Sequence, residues 1–197
     1  MSPLYLLWFG WMVSAIAWAI AWSLHGVSKD RPSTNMDYAN RTALTLGVIL
    51  LFELHPGFLE RYMRLWVLPE NSGWIETLIA YVGFGLSWWA HITLGRKAQR
   101  KTVSDGPYQV VRHPMFLGIS IAAFSTAAMR GTIDAFLGAI LITIGWYLRA
   151  QVEEETLRQK LGTAYEAYAA KTAMLVPYLW LRPFSVGRPP HDGGSLP

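Results

Sequence analysis

Long uncharged runs separated by short basic segments dominate the chain. From Pro3 to Leu24 no charged residue occurs, and the run is as long as a bilayer-crossing helix requires. No Lys or Arg precedes it and no small-x-small cleavage site closes it, so it reads as a retained transmembrane helix rather than a signal peptide. A polar stretch from His25 to Asn40 follows, with Lys29, Arg31 and the turn-prone pair Pro32-Ser33. The second span runs from about Thr42 to Leu54, where Glu53, His55, Pro56 and Gly57 interrupt it. Phe58 to Leu68 resumes with Glu60, Arg61 and Arg64 at helical spacing, the pattern of an amphipathic continuation lying at the interface.

The third span, Trp74 to Leu94, is rich in small residues that permit close helix packing (Gly83, Gly85, Ser87, Ala90). Beyond it lies the most basic loop, with Arg96, Lys97, Arg100, Lys101 and Arg112. Two shorter apolar runs, Met115 to Met129 and Ile133 to Leu148, are split only by Arg130-Gly131 and predict a helical hairpin. From Ala150 to about Lys171 the pattern is a polar helix with Leu157, Leu161, Tyr165 and Tyr168 on one face, ended by Pro177. Residues 182–197, with Pro183, Pro189, Pro190 and Gly193-Gly194, read as a disordered tail.

Charge sets the orientation. The third loop holds five Lys or Arg, the first three (Lys29, Arg31, Arg41) and the second two (Arg61, Arg64), and positive loops stay cytoplasmic. Five spans with the N-terminus outside satisfy every loop and bring His113 and Glu153 to the cytoplasmic side. The expectation is an all-α integral membrane protein of about five transmembrane helices. The last two form a hairpin, a cytoplasmic C-terminal helix follows, and residues 1–181 make one domain.

Composition supports this class. Hydrophobic residues make up 52% and charged residues 15%, with a mean hydropathy of +0.23, more apolar than a soluble domain of this length needs. Ten Trp, nine Tyr and eight Phe suit rings gathered at two interfaces, and Trp88-Trp89 read as such anchors. The net charge of +4 raises nucleic acid as a partner, but the basic residues flank apolar spans, and the positive-inside pattern explains them without it. There is no Cys, hence no disulfide, thiolate nucleophile or thiolate metal site. The five His are scattered without ligand spacing, so no metal is expected.

Candidate chemistry concentrates in two places. The segment Gly106-Pro107-Tyr108-Gln109-Val110-Val111-Arg112-His113-Pro114-Met115-Phe116-Leu117-Gly118 is basic and turn-rich between apolar runs, where charge persists only if something holds it. Some forty residues on, Arg149 and Glu153 stand four apart on one helical face, beside Glu154. Taken singly, Arg112 and His113 read as headgroup contacts and Arg149 with Glu153 as a surface ion pair; their joint occurrence points to a site. An anion site at Arg149, a cation site at Glu153, an imidazole and apolar walls (Tyr108, Phe116, Trp146) suit a zwitterionic amino-acid nucleotide. Neither a P-loop nor GxGxxG occurs, so nothing supports a phosphate cradle.

These motifs, with Leu157, Leu161-Gly162, Tyr165, Tyr168 and Pro177, resemble the isoprenylcysteine carboxyl methyltransferase family over about residues 86–178. Related phospholipid N-methyltransferases share that core. The resemblance implies a membrane methyltransferase that uses S-adenosylmethionine, without a metal or a Rossmann domain. It places Lys101, Thr102, Val103, Tyr108, His113, Pro114, Phe116, Glu153 and Glu154 at the cofactor, Glu153 holding it. It places Arg149, with Trp146, at a lipophilic methyl acceptor. Three positions depart from the family's pattern: Phe116 stands for a common Tyr, Leu161 for Phe and His91 for Arg. A carboxylate acceptor would need no general base; an amine or thiol would, from Glu153 or His113. Three alternatives stay open: a phospholipid or amine N-methyltransferase, an NADPH-dependent reductase of the sterol type, and a lipid-binding scaffold without catalysis.

Overall fold

The computed structural model describes residues 2–25, 35–52, 63–69, 73–96 and 105–176. Among these, six α-helices follow one another: α1 Pro3–His25, α2 Asn35–Leu51, α3 Gly73–Arg96, α4 Pro114–Arg130, α5 Ile133–Leu161 and α6 Thr163–Ala169. A 3-10 turn, Gly106–Gln109, sits between α3 and α4. No strand longer than an isolated bridge occurs among the described residues.

Side-chain contacts fix the helix directions. The Tyr81 hydroxyl donates to Leu6 O at 2.9 Å and that of Thr77 to Pro3 O at 3.3 Å, so α1 and α3 run parallel. Gly83 of α3 meets Gly118 and Ala122 of α4, and Gly47 of α2 meets Gly138 and Ile142 of α5; both pairs are antiparallel. The first five helices therefore alternate in direction. The amino ends of α1, α3 and α5 lie at one end of the bundle. Those of α2 and α4 lie at the other, together with the polar half of α5.

Close approach explains the glycines at two crossings. A Cβ on Gly83 would come 2.5 Å from Gly118 O, and one on Gly138 2.7 Å from Gly47 O. Backbones pack there with nothing between them, so Gly83 serves packing within the chain. Between α2, α4 and α5 lies a core of Leu51, Ala123, Ala127, Ala135, Ala139 and Ile142. The outer faces stay apolar: Tyr5, Phe9, Met12, Ile75, Leu78 and Val82 are all more than half exposed. Such a belt on a soluble surface would be a liability, whereas in a bilayer it is the lipid face. Among the described residues, Gly73–Leu94 and Ile133–Leu161 are long and apolar enough to cross a membrane, Pro114–Arg130 is apolar but shorter, and the Pro3–Ala17 part of α1 is apolar.

The structure corrects three expectations. First, α2 begins at Asn35, a full seven residues before the apolar run that marked it, because polar Asp37 and Asn40 belong to its first turns. Second, α5 runs unbroken for 29 residues, so the hairpin's second arm and the polar helix are one rod of about 43 Å. The break comes at Gly162, with φ at +54°, and α6 is a short separate helix rather than the continuation to Lys171. Third, the described end of the Phe58–Leu68 stretch is not an interfacial helix. Arg64 forms a bridge with Thr132 and Leu65 donates to Gly131 O at 2.7 Å, so this strand-like piece caps the α4–α5 turn. Lys101, Thr102 and Val103, and the tail 182–197, lie outside the described residues.

Candidate active site

The site forms where α4 begins and the apolar part of α5 ends. Gly106, at φ +59°, opens the 3-10 turn and lets Pro107 and Tyr108 fold inward against α3. Tyr108 is buried, its hydroxyl 3.4 Å from Ala90 O and its carbonyl accepting the Tyr168 hydroxyl at 2.7 Å. Burial first, then the charge of Glu153, pushes the Tyr108 phenol above its ordinary value. Burial likewise pushes Tyr168 up to about 12. Both therefore stay protonated at neutral pH and neither serves as a base.

His113 caps α4, and Pro114 fills the first helical position, where no amide is needed. The imidazole is 7% exposed and lies between the paired carboxylates, Nδ1 3.8 Å from Glu153 Oε2 and Nε2 3.4 Å from Glu154 Oε1. The second contact lacks hydrogen-bond alignment, so Nε2 is buried without a bond. One face of the ring stacks on Phe116 at 5.3 Å and 4°, and Phe116 stacks on Trp146 at 4.7 Å.

The two glutamates have opposite surroundings because adjacent helical positions point about 100° apart. Glu153 is 36% exposed and accepts from Arg149 Nε at 2.9 Å; Arg149 is 40% exposed and comes within 4.0 Å of Asp37 on α2. Glu154 is fully buried between Arg112, at 2.7 Å, and Arg158, at 3.0 Å. Trp146 also lines an apolar cavity of about 470 Å³ with Trp8, Trp11, Phe52, Phe84 and Trp88. A ring stack from His113 through Phe116 to Trp146 thus leads from the imidazole to the wall of an aromatic cavity that is partly open at the bundle's side.

The phospholipid methyltransferase family pattern matches residues 74–164, the stretch that carries α3, the turn, α4 and α5. Protein-S-isoprenylcysteine O-methyltransferase B of Arabidopsis thaliana is 31% identical over 167 residues, covering 81% of this chain and 85% of its own length. The chain belongs to the isoprenylcysteine carboxyl methyltransferase family. It is thereby one of the membrane methyltransferases. A probable protein-S-isoprenylcysteine O-methyltransferase of Oryza sativa subsp. indica matches at 24% over 82% of this chain and 88% of its own. A methanethiol S-methyltransferase of Pseudomonas sp. (strain GM41(2012)) is 37% identical over 87 residues, 41% of this chain and 33% of that protein. The chain therefore spans only a third of that relative's length.

Seen within this family, the fold gathers Tyr108, His113, Pro114, Phe116, Trp146, Arg149, Glu153 and Glu154 at one end of the bundle. It does not treat them alike. Glu154, expected at the cofactor, has both oxygens occupied by guanidinium groups inside the protein. Three contributors escaped the sequence. Asp37 stands beside Arg149, and its place in the first turn of an apolar helix was the available signal. Trp88, read as an interface anchor, lines the cavity, while Trp89 is the exposed one of the pair. The segment 172–174 covers the His113 turn, with Arg112 N donating to Ala173 O at 2.8 Å and His113 N to Met174 O at 3.1 Å. Nothing in its composition foretold that contact.

Proposed function

We propose that this chain transfers the methyl group of S-adenosylmethionine to a lipophilic acceptor at the cytoplasmic face of a membrane, most simply to a carboxylate. The observation that carries the reading is the aromatic cavity that reaches the site through Trp146. A chamber walled by four Trp and two Phe holds an apolar tail, and no small polar acceptor would fill it.

The residues present fit the cofactor's chemistry. With the imidazole proton on Nε2, Nδ1 of His113 and Oε2 of Glu153 are two acceptors within reach of one ammonium group. Tyr108, Pro114 and Phe116 supply apolar wall beside them, and Lys101, Thr102 and Val103 are assigned to the same pocket by family resemblance. When bound, S-adenosylmethionine supplies a methyl group already activated on a sulfonium. The chain's own task is then to align, to hold charge and to exclude water. Arg149, half exposed between α2 and α5, is placed to orient an acceptor carboxylate with its planar fork, and Trp146 to seat the acceptor's apolar part. A carboxylate reacts in its ionised form, so no proton has to leave.

A second acceptor class, a thiol, is favoured by the likeness to methanethiol S-methyltransferases. There a proton leaves, and Glu153 or His113 would take it. Incubation with methyl-labelled S-adenosylmethionine and either an S-prenylated cysteine or methanethiol separates the two. Label in the prenylated cysteine, lost in Arg149→Ala while cofactor still binds, supports the carboxylate reading. Label in methanethiol alone, or loss of cofactor binding together with turnover, contradicts it.

A further inference from the structure

Glu154 is a buried carboxylate that the proposed chemistry does not use. It has no exposed surface, and its two oxygens take Arg112 Nε at 2.7 Å and Arg158 Nη2 at 3.0 Å. No ligand can reach it without breaking a buried ion pair. What it holds, however, is distinctive. Arg112 Nη1 binds backbone carbonyls of the C-terminal segment, donating to Ala169 O at 2.9 Å and also to Thr172 O. The adjoining backbone continues the join through the bridge of Val111 with Ala173 and the amides of Arg112 and His113. Met174, at the end of this strap, packs with Phe116 and Ala150.

We propose that Glu154 is a positioning residue that works through Arg112: it fixes the guanidinium that straps residues 169–174 over the His113 turn, and so holds the imidazole flat on Phe116 beside Glu153. The inference rests on the cofactor reading above only for its functional consequence. A guanidinium held by a carboxylate presents its other donors in fixed, planar directions, whereas an ammonium has three donors on a flexible stem and no fixed plane. With the carboxylate gone, Arg112 becomes a buried cation lacking its counter-charge. It must turn towards water and release both carbonyls. His113 then loses the Met174 carbonyl that anchors its amide, and the gap between Nδ1 and Glu153 Oε2 is no longer fixed. Arg158, the second partner, takes the other Glu154 oxygen and reaches Glu166 and the Tyr165 ring on α6, while the carbonyls of Ala169 and Thr172 are held by Arg112.

The test uses the full chain in detergent, with two independent readouts. Hydrogen–deuterium exchange of peptides covering 106–116 and 164–176 is measured without cofactor, and affinity for S-adenosylmethionine by calorimetry. Glu154→Gln and Arg112→Gln are each expected to raise exchange in both peptides and to weaken affinity about tenfold, with the double variant within about twofold of the worse single one. Arg158→Gln is expected to leave exchange in 106–116 and affinity unchanged, with any change in 164–176 confined to its own contacts at Tyr165 and Glu166. Additive losses in the double variant, or weakened affinity with exchange unchanged, would mean that Glu154 meets the cofactor itself and would overturn the proposal. So would Arg158→Gln reproducing the effects of Glu154→Gln. If Glu154→Gln does not fold, Arg112→Lys keeps the charge and loses the fork. Raised exchange at the strap then supports the proposal, and unchanged exchange overturns it. Failure of the unaltered protein to bind cofactor would count against the proposed function alone and leave the exchange measurement to decide the strap.

Discussion

Arg149 and Glu153 pair on one helical face, and if the proposed roles hold, the first at the acceptor and the second at the cofactor, their substitution should separate binding from turnover. Arg149→Ala is expected to abolish methyl transfer while leaving S-adenosylmethionine affinity within about threefold, because its fork acts on the acceptor. Equal loss of both would show that the guanidinium serves the cofactor. The tyrosines give a pH prediction. Burial raises Tyr168 to about 12 and raises Tyr108 and Tyr165 in the same direction. Below pH 10 the phenol is neutral in both the folded and the unfolded chain, so its stabilising contribution is complete. Above that, the unfolded chain ionises first and stability is lost as pH rises towards about 12. The melting temperature should therefore fall steeply between pH 10 and 12, and less steeply in Tyr168→Phe. A flat profile there would contradict the burial of these phenols. At this scale the sequence was informative about chemistry and silent about environment. The spacing of Arg149 and Glu153 declared an ion pair four residues apart. That Glu154 faces inward to two arginines depends on a partner 42 residues away and on the rotation of α5 about its axis, which no local pattern encodes.

Close backbone contact and a few buried charges join the helices beside the apolar core. Gly118→Val would drive a side chain into α3 at Gly83 and Ser87, and is expected to cost about 1–3 kcal/mol. Gly85→Ala, with nothing within 4 Å of the added methyl, should be tolerated. Thermal unfolding in detergent compares the two, and equal stability would contradict the close α3–α4 crossing. Arg130 ties three elements, donating to Leu50 O and Leu51 O at the end of α2 and to Asp134 at 3.1 Å. Removing its guanidinium leaves buried Asp134 without that counter-charge, a loss of about 3–5 kcal/mol. Arg130→Ala should accordingly unfold well below the unaltered chain, whereas Arg64→Ala, on an exposed residue, should not. The apolar runs marked where α1, α3, α4 and the first half of α5 lie. They missed the amino end of α2 and the continuity of α5, because hydrophobicity reports where lipid or core begins and not where hydrogen bonding ends. The backbone of α5 continues past Leu148 since Arg149 to Leu161 has no helix breaker until Gly162.

The bundle as a whole places its amino end and its site at opposite poles. That arrangement follows from alternating helix directions; five crossings with a cytoplasmic site are the topology we propose, and the charge count is its ground for sidedness. Since the chain has no Cys, single cysteines report sidedness without background. Ser2→Cys should react with an impermeant maleimide on intact cells, and Thr163→Cys only after the membrane is opened. The reverse, or reaction of both from one side, would refute the orientation. The aromatic cavity and the polar site share Trp146, and the proposed function requires a cofactor held where Glu153 and His113 meet. Calorimetric titration of the purified chain with S-adenosylmethionine, with Glu153→Ala alongside, tests this most directly. The account predicts one saturable site that the substitution weakens by about tenfold or more, while folded protein that shows no saturable binding, or binding indifferent to Glu153, would contradict it.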